Sequence, residues 1–80
     1  MKVEIITPDH MIFTGENVQL IRLPGIDGSF EVLNNHAPMI SVLIGGKIKL
    51  LNKGEKEEQF FDIKGGVIEV LNNRVLVLAE

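Results

Sequence analysis

The segment LPGIDGSFEVLNNHAP, residues 23–38, is dense in residues that restrict or release the backbone. Gly25 and Gly28 can take positive φ without steric cost. Pro24 and Pro38 each fix φ and bias the preceding residue toward an extended conformation. The segment carries only three ionisable side chains. It therefore predicts a rigid, non-helical surface feature and not a catalytic loop.

Alternating polar and apolar residues elsewhere in the chain indicate strands with one buried face. Residues 2–5, 46–50 and 68–70 alternate in this way, which sends polar and apolar side chains to opposite faces of an extended chain. No segment has apolar residues at helical spacing over about ten positions. The chain contains 18 Val and Ile residues against 9 Leu, and β-branched side chains favour strands.

Turn residues recur about every eight to twelve positions, a spacing typical of sandwiches and barrels. Two hairpins are predicted: residues 46–52 with 57–63 around Lys53-Gly54, and residues 66–71 with 74–79 around Asn72-Asn73. Because 80 residues contain no repeat, linker or low-complexity tract, we expect a single domain over residues 1–80. The predicted fold is all-β: a small two-sheet β-sandwich, or flattened barrel, of about eight to ten short strands.

Composition excludes several classes of protein. The chain has no Cys, hence no disulfide framework and no thiolate metal site. No apolar run reaches the roughly 18 residues that span a bilayer, and the first residues lack the apolar stretch of a signal peptide, so we expect no direct bilayer insertion. The net charge is −3, and there are four Phe but no Trp or Tyr. Nucleic acid is therefore not an expected partner, and an oligonucleotide-binding barrel is disfavoured.

The sequence offers few groups for catalysis or cofactor binding. His10 and His36 are the only imidazoles, and the carboxylates have no spacing recognisable as a metal site. Gly65-Gly66 lacks the Lys-Ser/Thr that follows the glycines of a phosphate-binding loop, so it predicts a tight turn or bulge. We expect no catalytic residue, no cofactor and no metal. For His36 we expect a structural role at an interface.

A swinging-arm carrier domain of the lipoyl or biotinyl type is the alternative function. Such domains are similar in size, all-β, and present one Lys at a hairpin tip. Lys53 occupies such a tip in Asn52-Lys53-Gly54, but the Asp-Lys or Met-Lys-Met neighbourhood of those families is missing. The attached group would appear as an increase in intact mass.

Several short pieces, in this order and at this spacing, resemble the amino-terminal β-sandwich domain of the epsilon subunit of rotary (F-type) ATP synthases. They are Val3-Glu4-Ile5-Ile6-Thr7-Pro8, Phe13-Thr14-Gly15-Glu16, Leu23-Pro24-Gly25, His36-Ala37-Pro38, Lys64-Gly65-Gly66-Val67-Ile68-Glu69-Val70 and Val75-Leu76-Val77-Leu78-Ala79-Glu80. The resemblance covers residues 1–80. The resemblance stops before the helical hairpin that follows in longer members of the family, and a native short form and a trimmed chain both remain open.

The resemblance implies a non-catalytic subunit of the central stalk. Such a subunit links the gamma subunit to the ring of c subunits and couples ion-driven rotation to ATP synthesis, at the cytoplasmic face of the bacterial inner membrane. The residues that the resemblance places against the polar loops of the c-ring are Thr7, Pro8, Asp27, Ser29 and Glu31. Those it places on the gamma side are His36, Ala37 and Pro38.

The central loop departs from the family pattern at two points. The family's usual acid position holds Ser29, while Glu31 follows two residues later. Residues i and i+2 of an extended segment share a face, which leads to the hypothesis that Glu31 takes over the contact to an Arg of the c-subunit loop, with Phe30 turned into the core. Asn34-Asn35 replaces the usual Pro-Gly; Asn tolerates the left-handed region, so the turn geometry is expected to survive.

Overall fold

The computed structural model describes residues 1–80 and consists of strands joined by turns and loops, with no helix. The strands are β1 Lys2–Ile6, β2 Met11–Gly15, β3 Val18–Gly25, β4 Gly28–Leu33, β5 Met39–Asn52, β6 Gln59–Leu71 and β7 Arg74–Ala79. None of the chain forms a helix able to cross a membrane. The all-β prediction is confirmed. The seven strands are slightly fewer than expected, because β5 and β6 are 14 and 13 residues long and each contributes to both layers.

The strands form one hydrogen-bonded sheet in the order β2-β1-β7-β6-β5-β3-β4, folded over on itself. Only β1 and β7 pair in parallel. The fold-over runs through β5 at Gly45-Gly46 and through β6 at Gly65-Gly66. In the β5–β6 register, Gly65 lies opposite Ile44 and Gly46 lies opposite Ile63. The first layer comprises β2, β1, β7 and the adjoining halves of β6 and β5. The second layer comprises the other halves of β5 and β6 with β3 and β4. Both predicted hairpins are present.

Gly66 is required where the sheet folds over. Its φ is +152°, and a Cβ at this position would collide with the carbonyl oxygen of Leu78 and lie 3.0 Å from the Cα of Ala79. Only a residue without a side chain allows β7 to pair this closely. The glycine pair therefore shapes the sheet, but the predicted tight turn or bulge was wrong: β6 continues through both glycines with unbroken register to β5 and β7.

The core between the layers is wholly apolar. It contains no buried polar or charged side chain. Phe30 packs against this core, as predicted, and the rings of Phe13 and Phe61 meet with centroids 5.5 Å apart. The buried residues are Met1, Val3, Ile5, Val18, Ile21, Leu23, Val32, Leu43, Ile48, Leu50, Ile63, Ile68, Val70, Val75, Val77 and Ala79.

The turns gather at two opposite ends of the sandwich. At the end that we call the upper end, Asn35 N donates to Asn73 Oδ1 at 2.8 Å, and Lys53 N donates to Asn17 O at 2.7 Å. The lower end is formed by the Thr7–His10 turn, the Ile26-Asp27 turn, both glycine pairs and Glu80. There Ile26 N donates to Val42 O at 3.1 Å.

Candidate interaction surfaces

The lower end holds three of the residues predicted to face the c-ring. Thr7 closes a tight turn: its Oγ1 accepts from His10 N at 3.2 Å and donates to His10 O at 3.0 Å. Pro8 is exposed on this turn. Asp27 lies in the two-residue turn between β3 and β4, where Gly28 supplies a φ of +124°. The fold thus presents Thr7, Pro8 and Asp27 at the same end on two fixed turns.

Ser29 and Glu31 lie on the outer face of the second layer. The β3–β4 register sets Ser29 opposite Pro24 and Glu31 opposite Arg22. The two β4 residues share a face, as their spacing predicts. Glu31, however, already has a cationic neighbour, since its Oε2 is 3.7 Å from Arg22 Nε. It also lies about 13 Å along the strand from Asp27. A cation from another chain would have to share Glu31 with Arg22.

The His36–Pro38 segment lies at the upper end. His36 N donates to Leu33 O at 3.2 Å, and its ring Nδ1 lies 2.7 Å from Ala37 O, so in this geometry Nδ1 carries the proton and donates it. Asn35, just before it, has a φ of +62°, which agrees with the expected tolerance of Asn for the left-handed region. The imidazole is engaged with its own backbone and positions the start of β5.

The sequence reasoning missed an apolar surface on the outer side of the first layer. Val42 lies opposite Val67, Val67 opposite Leu78, and Leu78 opposite Ile6, so four apolar side chains form a row across β5, β6, β7 and β1. Ile40 beside this row is 74% exposed. We call this surface the outer apolar face; its members are Ile6, Ile40, Val42, Ile44, Val67, Leu71 and Leu78.

The outer apolar face joins both ends of the sandwich. A depression of about 390 Å³ lined by Pro38, Ile40 and Leu71 links it to the His36–Pro38 segment. Another of about 390 Å³, lined by Pro8 and Leu78 among others, links it to the lower end. The predicted gamma-side and ring-side segments therefore border one continuous surface.

The outer side of the second layer has a different character. Its charges are paired on the chain itself: Lys47 with Asp62 at 2.9 Å and Lys49 with Glu58 at 3.1 Å, beside the Arg22–Glu31 pair. Phe60, 55% exposed, is a large apolar side chain next to these pairs, and Leu33, 51% exposed, lies on the same side of the sandwich. Exposed Lys53 ends the β5–β6 hairpin. No three His, Cys, Asp or Glu side chains are grouped so as to hold a metal ion.

All of residues 1–80 match the family model described as the ATP synthase, Delta/Epsilon chain, beta-sandwich domain. The chain belongs to this family. The ATP synthase epsilon chain of Chlorobium limicola is 39% identical over 79 residues, which are 99% of this chain and 88% of that protein. The epsilon chain of Helicobacter pylori is 38% identical over 80 residues, all of this chain and 63% of that protein. The resemblance noted in the sequence is thus confirmed.

The fold of this epsilon-family chain also recurs in solved structures. A chain in the cryo-EM structure of the Tetrahymena thermophila mitochondrial ATP synthase central stalk and c-ring superposes with a TM-score of 0.84 at 20% identity, covering 99% of this chain and 62% of that one. The β-sandwich is therefore retained where most of the sequence differs. Family membership supports the stalk-subunit interpretation and not the carrier-domain alternative at Lys53.

Proposed function

We propose that this chain is the epsilon-type subunit of the central stalk of a rotary ATP synthase, where it holds the gamma subunit to the c-ring and performs no bond-making chemistry. Its place is peripheral, at the cytoplasmic face of a bacterial inner membrane. The observation that carries the proposal is the outer apolar face, a contiguous apolar surface on an 80-residue chain. Large exposed apolar patches mark interaction sites on soluble domains.

The dimensions of the domain require most of that face to be buried. The principal extents are 29, 23 and 21 Å, and a stable interface takes about 800 Å² from each partner. A contact confined to one turn would be too small. The outer apolar face, extended by the segments at its borders, is the surface with sufficient area.

We assign the gamma subunit to the outer apolar face together with His36, Ala37 and Pro38, which border it at the upper end. We assign the c-ring to the lower end, through Thr7, Pro8 and Asp27, with Ser29 and Glu31 on the adjoining strand. The two surfaces meet at the depression lined by Pro8 and Leu78. A close-packed apolar core between them deforms little under load, so rotation of one partner is passed to the other.

A matched pair of substitutions tests this function. Val42 and Phe60 are similarly exposed, at 51% and 55%, on opposite sides of the sandwich. Val42→Glu should abolish co-purification with the gamma subunit from the same organism, because it places a charge within the apolar row, beside Val67. Phe60→Glu should leave co-purification intact. Equal behaviour of the two variants, with both folded by circular dichroism, would contradict the assignment of the face.

A further inference from the structure

Two cations lie side by side at the upper edge of the outer apolar face. The parallel register of β1 and β7 pairs Lys2 with Arg74, and side chains at paired positions of adjacent strands share a face about 4.8 Å apart between strands. Lys2 has a partial partner, since its Nζ is 4.0 Å from Glu4 Oε1. Arg74 has no carboxylate within 4.0 Å, whereas the chain's other arginine, Arg22, has one.

This arrangement costs the free chain stability. Like charges placed side by side on neighbouring strands repel each other. Arg74 is exposed at a strand start, where many polar residues would serve without this repulsion. The pair gains a favourable role if an anionic group is shared between the two cations in a complex.

The residues next to the pair lie in ordered rows down the outer face. A depression of about 310 Å³ is lined by both cations and also by Glu4, Glu69 and Leu71. Below the cations, Glu4 and Glu69 lie on either side of Leu76, about 7 Å further along the strands. Below these acids comes the apolar row. We call the three levels the basic row (Lys2 and Arg74), the acidic row (Glu4 and Glu69) and the apolar row (Ile6, Val42, Val67 and Leu78).

This sequence of rows disfavours a second copy of the chain as the occupant. A two-fold interface buries the same patch on both partners. With the axis along the strands, the basic row would face a second basic row. With the axis across the strands, an interface that buries all three rows would set the basic row against the apolar row. A different protein can supply the complementary order of charges.

We propose that Lys2 and Arg74 form a docking point for a carboxylate side chain of the protein that covers the outer apolar face, and so fix the position of that protein along the strands. The inference rests on the proposed function, in which that protein is the gamma subunit. The acidic row beneath prevents the carboxylate from binding one level lower, because like charges would then meet.

The test measures binding of the purified gamma subunit to the full chain and to its variants. Arg74→Gln should raise the Kd about tenfold, as expected for loss of a charge-assisted bond, and Lys2→Gln should raise it less, since Lys2 also has Glu4. Added salt should weaken the wild type more than Arg74→Gln. The matched control is Lys56→Gln, in the exposed 55–58 loop, which should leave the Kd unchanged.

The melting temperature separates docking from a merely structural role. Relief of the Lys2–Arg74 repulsion should leave the Tm of free Arg74→Gln unchanged or raise it by roughly 1–4 °C. Weaker binding with an undiminished Tm supports the proposal, and so does rescue of Arg74→Glu by reversing one acidic residue of the gamma subunit. If the Kd of Arg74→Gln is unchanged while Val42→Glu still abolishes binding, the docking proposal is refuted and the proposed function stands. No binding by the wild type refutes the proposed function as well.

Discussion

Replacing Gly66 by Ala is the sharpest test of how the sheet folds over. The new Cβ would collide with the carbonyl oxygen of Leu78 and lie 3.0 Å from the Cα of Ala79, both on the neighbouring strand. These are backbone atoms, so no side-chain rotation relieves the contact. Strand β7 must move away, which disturbs the register pairs Gly66–Ala79 and Val67–Leu78.

The expected cost has two parts. A φ of +152° is a region largely restricted to glycine, and a side chain there costs of order 1–3 kcal/mol. Displacement of β7 removes further hydrogen bonding, at about 1 kcal/mol per bond. We expect a total loss of about 3 kcal/mol or more, a large share of the roughly 4–12 kcal/mol that a domain of this size possesses.

Urea denaturation followed by circular dichroism measures this loss. With a slope near the lower end of the usual range, the midpoint should fall by about 2 M or more. Gly54→Ala is the control, since Gly54 also has a positive φ, +81°, but no atom lies within 4 Å of its Cβ position. Gly54→Ala should lose only the stability that a side chain costs at a positive φ, and no hydrogen bonds between strands. If the two variants lose equal stability, the close approach of β7 does not exclude a side chain at position 66, and the argument for Gly66 is wrong.

Three further substitutions address the core, the upper end and the second layer. Ile68→Ala should cost about 2–5 kcal/mol of unfolding free energy, because Ile68 is fully buried between the layers. A smaller loss of unfolding free energy, measured by urea denaturation, would indicate that the core collapses around the cavity. Asn73→Ala should cost about 1–2 kcal/mol, since it removes the acceptor for Asn35 N and places Ala at a φ of +59°; Asn73→Gly, which keeps the φ, should recover part of this in the same assay. Glu31→Gln should cost at most about 1 kcal/mol in the free chain because its pair with Arg22 is partly exposed. A double-mutant cycle between Glu31 and the c-loop Arg, with a coupling energy near zero, would leave Glu31 as an ordinary partner of Arg22.

The hairpins could be predicted from the sequence because two local signals agreed. Strict alternation defined the strands on both sides of Asn72-Asn73, and Asn accepts the left-handed backbone that the turn needs; its φ values are +51° and +59°. The Glu31–Arg22 pair could have been predicted in the same way, from the turn that joins β3 and β4. Once Ile26-Asp27 is taken as a two-residue turn, the register places Glu31 opposite Arg22. The residue pairs across a hairpin can thus be predicted from the sequence once the turn residues have been identified.

The outer apolar face could not be derived from alternation, because that reasoning assumes one buried and one solvated side for each strand. Residues 39–44, MISVLI, are almost continuously apolar, and such a run is typical of a strand covered on both faces. In the isolated sandwich only one face of this run is covered. Under the proposed function another protein covers the second face, and the apolar run in the sequence is the signal that would have indicated it.

The two proposed contact surfaces share strands, which explains how a small domain can couple two partners without a mobile element. Ile6 belongs to the apolar row, and Thr7 and Pro8 follow it directly at the lower end. The parallel β1–β7 pair therefore connects the surface assigned to gamma with the turn assigned to the c-ring, through the covalent chain of β1 and the hydrogen bonds that hold β1 to β7. A displacement at one surface reaches the other along these strands, since the apolar core behind them, with no buried polar group to rearrange, resists shear.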